Sequence, residues 1–84
     1  MPYIKQLDRE KFEEALSAMP DFLNKGELEY VVFSLMKQYM IEKEYRYSIL
    51  HDCTYAVQHC ADEFRRRFLD KRENEARESN GDIN

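Results

Sequence analysis

The sequence predicts an all-α protein: a helical hairpin packed on a long C-terminal third helix, completed as a dimeric or higher helical bundle. Three observations carry this. Apolar residues recur at helical spacing in three segments, the two prolines and two glycines fall at the margins of those segments, and no proline or glycine interrupts the stretch from Ser48 to Ser79. A chain of 84 residues makes one helical domain, residues 1–84. So short a chain buries a small share of its surface, and a second copy is the expected remedy.

The first helix is expected over residues 8–18. Asp8 is placed to accept from the orphan amides of the first turn, with Leu7 before it and Phe12 four residues after it as a hydrophobic staple. Phe12, Ala15, Leu16 and Met19 then follow the i, i+3, i+4, i+7 rule until Pro20, whose ring disfavours helical geometry at Met19. Residues 20–25 read as a connector. Asn24 followed three residues later by Glu27 is an Asn variant of the capping box, and it opens a second helix expected over residues 25–43. Leu28, Val31, Val32, Leu35, Met36, Tyr39 and Met40 form its apolar stripe, a period that outweighs the strand preference of Tyr30-Val31-Val32-Phe33. Tyr30, Phe33 and Ile41 lie off that stripe, so a second contact surface is implied.

The third helix is expected over residues 48–78, with Ser48 as its cap and a length of about 45 Å. Its stripe is Ile49, Cys53, Ala56, Val57, Cys60, Phe64 and Phe68. Beyond Leu69 the stripe ends, and Asp62 with Arg66, Glu63 with Arg67 and Glu73 with Arg77 stand at the i, i+4 spacing of a solvated, ion-paired helix. The tail, residues 79–84, carries a capping Gly81 and is expected to fray. The expected core is Phe12 and Leu16 of the first helix, Leu28, Val31, Val32, Leu35, Met36 and Tyr39 of the second, and Ile49, Cys53, Val57, Cys60 and Phe64 of the third.

Composition narrows the function classes. Thirteen basic against seventeen acidic residues leave a formal charge of −4, which opposes non-specific attraction to nucleic-acid phosphates. No apolar run approaches the roughly 18 residues of a membrane span, and the opening Met1-Pro2-Tyr3-Ile4-Lys5 lacks the apolar stretch of a secretory leader, so a cytoplasmic protein with no membrane contact is expected. Cys53 and Cys60, about 10 Å apart on one helix, are too distant to bridge each other and read as structural thiols.

No residue pattern supports catalysis, and no cofactor is expected. His51 and His59 stand eight residues apart, about 80° around the helix, without the i, i+4 spacing that aims two ligands at one metal ion. His59 and Cys60, as sequence neighbours, point about 100° apart and cannot readily share a proton. Arg65-Arg66-Arg67 with Lys71 and Arg72 is the one basic concentration, and flanking Phe64 and Phe68 invite a nucleic-acid reading. From Asp62 to Glu78, however, six basic residues meet six acidic ones, the balance of a salt-bridged solvent face. The same arginines suit the phosphates of a small nucleotide at a subunit interface, with Tyr45, Tyr47 or Tyr55 stacking on its base. The remaining reading takes the tyrosines and the Tyr30–Phe33 patch as anchors of a protein–protein interface, where aromatics combine apolar area with a polar tip. It leads here: a homo-oligomeric binding protein whose partner is a host protein.

Four segments, the opening Met1-Pro2-Tyr3-Ile4-Lys5-Gln6, the helix start Gly26-Glu27-Leu28-Glu29-Tyr30, the block Glu63-Phe64-Arg65-Arg66-Arg67 and the closing Asn80-Gly81-Asp82-Ile83, stand out along the chain. On them the chain resembles an uncharacterised family of short proteins found in bacteriophage, archaeal and environmental genomes. The resemblance spans the chain and implies a helical accessory protein with no established activity to transfer. Relatives often place a proline after the arginine block, whereas Phe68-Leu69-Asp70-Lys71 has none, so a straight terminal helix is expected of this chain in particular.

Overall fold

The computed structural model describes residues 2–83; Met1 of the family-like opening and Asn84 of the expected frayed tail lie outside them. Among the described residues there are helices and connections and no strand. The helices are α1 (Gln6–Ala18), α2 (Lys25–Met40) and a long third helical stretch comprising α3 (Tyr47–Phe64), a π-helical turn (Arg65–Leu69) and α4 (Asp70–Asn80). The chain divides into two compact units, one Tyr3–Thr54 and the other Pro2 with residues 55–83, so that the division falls inside α3.

α1 begins two residues earlier than the capping pattern suggested. Lys5, without a side-chain hydrogen bond, precedes the helix, and the Asp8 amide already donates to the Lys5 carbonyl at 2.9 Å. Asp8 therefore serves as a first-turn carboxylate favoured by the helix dipole and not as the cap, and Leu7 lies inside the helix, well exposed. Arg9 instead ties down the preceding chain, its Nε donating to the Ile4 carbonyl at 2.7 Å. At the other end the proline rule holds: Met19 is extended, and the helix stops at Ala18.

α2 starts as its sequence demands. The Glu27 amide donates to the Asn24 Oδ1 at 3.0 Å, and the Glu27 carboxylate accepts in return from the Leu23 amide at 2.7 Å, one residue before the position a capping box ordinarily uses. Its end comes three residues earlier than expected. Ile41 is extended, Glu42 adopts φ 70°, and the Lys43 amide donates to the Met40 carbonyl at 3.1 Å. This is the type II turn, whose third position favours glycine; Glu42 occupies it at a steric cost of about 1 kcal/mol. Lys43 secures the end by donating from Nζ to the Tyr39 carbonyl at 2.8 Å while lying 4.0 Å from the centre of the Tyr39 ring.

α3 opens at Tyr47, which puts Ser48 in the first turn and not at the cap. The expected uninterrupted α-helix is interrupted in one way that no proline or glycine announces. The Asp70 amide donates to the Arg65 carbonyl five residues back, the mark of a π turn, and the helix then resumes to Asn80. Gly81 follows at φ 89°, a region open to glycine alone at its ψ, and its amide closes on the Arg77 carbonyl at 2.9 Å.

Packing within Tyr3–Thr54 centres on α2 and the start of α3. Cys53 is buried and its Sγ approaches the Met36 carbonyl at 3.7 Å, with Val31, Val32, Met36, Met40, Ile49 and Leu50 half-buried. Cys53 is the one buried residue among those described. Of the expected core, Phe12, Leu16, Leu28, Leu35, Tyr39, Cys60 and Phe64 are exposed in the single chain, and Val57 is half-buried. Burying a large apolar side chain contributes about 1.5–3 kcal/mol, whereas ordering each residue costs about 1.5 kcal/mol. One buried thiol and a set of half-buried neighbours are a small return against that cost.

Candidate interaction surface

The open apolar surface is concentrated on α2 and the connector before it. Pro20 stops α1, Asn24 starts α2, and the residues between them, Phe22 and Leu23, stand 43% and 84% exposed. Together with Met19, Pro20, Tyr30 and Val31 they line a cavity of about 680 Å³ that opens to solvent beside the first turn of α2. Gly26 also borders it, and a side chain there would meet the Asn24 Oδ1 at 3.2 Å, against the very atom that caps the helix.

α2 is apolar around most of its circumference. Val32, Met36 and Met40 point towards the half-buried interior, while Leu28, Leu35 and Tyr39 on one flank remain about half exposed. On the other flank Tyr30 is 73% and Phe33 64% exposed, and the two are three residues apart on one side of the helix. A helix apolar on so many sides belongs in an interior, yet this one faces solvent along two flanks. Tyr30 and Phe33 stand on one side of α2 off the main stripe, and the connector adds Phe22 and Leu23, which the sequence reading did not select. The available signal was an apolar pair, Phe22-Leu23, in a segment bounded by a proline and a cap, where polar residues are usual.

Tyr45 and Tyr47 belong to the unit Tyr3–Thr54, and Tyr55 with the three arginines to the other. Tyr45 lies exposed in the connection before α3, and Tyr47 opens that helix with its ring 4.9 Å from that of His51. Tyr55 stacks on His59, centroids 6.1 Å apart at 17°. Arg65, Arg66 and Arg67 occupy the π turn, and each is drawn to a neighbour: Arg65 to Asp62 at 3.5 Å, Arg66 to Glu63, and Arg67 over the Phe68 ring at 5.6 Å. The two ion pairs close at i, i+3, as does Arg72 with Glu75 at 3.5 Å, where the sequence spacing suggested i, i+4 partners. Tyr55 and Arg65, ten residues apart, are separated by about 15 Å along the helix axis.

Exposed apolar surface remains here too. The rings of Phe64, at the end of α3, and Phe68, in the π turn, stand 4.8 Å apart, tilted at 46°, and both are exposed with Leu69. Among the described residues no group of three or more His, Cys, Asp or Glu side chains is gathered for a metal ion, and both cysteines are free thiols. No helix of the described residues is long and apolar enough to cross a membrane.

A family model described as a domain of unknown function (DUF6899) matches residues 1–83. No curated protein and no solved structure matches the chain.

Proposed function

This chain belongs to that family of unknown function, and from its uncovered apolar surface we propose that it acts by protein–protein interaction, as a homo-oligomeric binding protein and not as an enzyme. The observation that carries this is the exposure of Leu23, Tyr30 and Phe33 on α2 and its connector, with Cys53 the one buried side chain among the described residues. Large aromatic side chains held on a helix are the usual anchors of interfaces, because they bring area at small cost in conformational freedom. The setting that fits is a small accessory protein of bacteriophage or archaeal type working in the cytoplasm, as adaptor or inhibitor of a host factor.

Nucleic-acid binding through Arg65–Arg67 has less behind it. A phosphate would have to compete with the carboxylates of Asp62 and Glu63, which already hold two of the three guanidinium groups. Capture of a small phosphorylated ligand at a subunit interface meets the same competition from Asp62 and Glu63.

The test is affinity capture from the native host followed by native mass spectrometry, run with the unaltered chain, with Tyr30→Ala/Phe33→Ala and with Arg65→Glu/Arg66→Glu. Loss of partners in the α2 variant alone is the expected result. Binding abolished in the arginine variant, weakened by salt and dependent on a polynucleotide would replace the proposal with the nucleic-acid reading. A melting shift induced by a nucleotide without polymer would replace it with the ligand reading.

A further inference from the structure

We infer that the occupant of the Tyr30–Phe33 face is α2 of a second copy, running antiparallel. This rests on the interaction reading above and names the partner. Gly26, Tyr30, Phe33 and Lys37 succeed one another in steps of four, three and four, the spacing that keeps one seam of a helix against another. Tyr30 and Phe33 sit at the middle of that seam and are its most exposed large side chains. In an antiparallel pair with the two-fold axis between them, each Tyr30 meets the Phe33 of the other copy. Gly26, which has no side chain, then faces Lys37, and the end of α2 reaches the connector. Ile41, 65% exposed, comes opposite Phe22 and enters the 680 Å³ cavity beside Leu23.

Charge selects the direction. α2 carries Glu29 near its start, about 60° from Gly26 around the helix, and Lys37 on the seam near its end, while Lys25 and Glu27 stand about 100° to either side and Glu27 already accepts from the Leu23 amide. The side chains of Glu29 and Lys37 make no hydrogen bond or ion pair among the described residues. An antiparallel pair brings each Lys37 within about one turn of Glu29 of the other helix, twice by symmetry; a parallel pair would set Lys37 beside Lys37 and Glu29 beside Glu29. The area suffices as well. Leu23, Tyr30, Phe33 and Ile41 offer roughly 500–600 Å² per chain, so two copies bury about 1,000–1,200 Å², at the threshold of a specific interface.

Sedimentation equilibrium across micromolar concentrations, with helicity followed by circular dichroism, tests the pairing. The unaltered chain is expected to dimerise, with Phe33→Asp weakening the dimer by about 100-fold. Glu29→Lys and Lys37→Glu should each weaken it by about tenfold at low salt, and the double exchange Glu29→Lys/Lys37→Glu should restore it. Restoration is the decisive result, since only a second copy carries the compensating charge. A dimer indifferent to Phe33→Asp and to both single exchanges overturns the inference, as does a double exchange that fails to rescue. A chain monomeric at every concentration also overturns it; capture of a host protein lost on Tyr30→Ala/Phe33→Ala would in that case leave the interaction reading intact, whereas no capture would end both.

Discussion

α2 and α4 are both helices without a buried residue, yet they show opposite surfaces to solvent. α4 exposes Asp70, Lys71, Arg72, Glu73, Glu75, Arg77 and Glu78, charged groups that water already satisfies and that pair among themselves, as Arg72 does with Glu75. α2 exposes Leu28, Tyr30, Phe33, Leu35 and Tyr39. Covering α4 would strip hydration from charges for little return; covering α2 removes apolar area from water at about 25 cal/mol per Å². Exposure alone therefore does not mark an interface. What decides is whether the exposed atoms have already found their best environment.

Substitutions of decreasing effect can break or sharpen this contrast. The largest effect is expected for Cys53→Asp, which puts a carboxylate into the one buried position facing α2. It should cost about 3 kcal/mol or more, seen as loss of cooperative unfolding by circular dichroism. If melting were unchanged, the α2–α3 contact would not be the centre of the fold. Asn24→Ala removes the acceptor for the Glu27 amide and should cost about 1 kcal/mol in denaturant unfolding. Glu42→Gly relieves the positive φ that closes α2 and should stabilise by about 0.5–1 kcal/mol, raising the denaturation midpoint. Arg72→Ala/Glu75→Ala, on α4, should move stability by no more than about 0.5 kcal/mol; a larger loss would mean that α4 also has something to cover it.

The sequence made some of these features legible and hid others for physical reasons. Helix existence followed from apolar period, and the stop at Ala18 and the start at Lys25 followed from Pro20 and Asn24, whose effects are local. The start of α1 did not, because the Asp8 pattern competes with a weaker arrangement fixed by Arg9 reaching back to Ile4, a contact no spacing rule encodes. The early end of α2 depends on Glu42 accepting a conformation that glycine prefers, so the residue usually sought there is missing. Tyr30 and Phe33 were visible as residues off the stripe. The connector cavity was not, since it arises from the path of the chain between two helices and not from a repeat.

The π turn at Arg65–Leu69 has a meaning for how this chain tolerates change. Such a turn holds one residue more than the α-helical turns on either side, so it is the physical image of a one-codon insertion absorbed without breaking the helix. Deleting a single residue among these five should return the segment to α geometry and leave α4 facing nearly as before, because the wide turn already absorbs the extra residue. Length variation at this point would then change the girth of one turn while the charged helix keeps the side it shows to a neighbour.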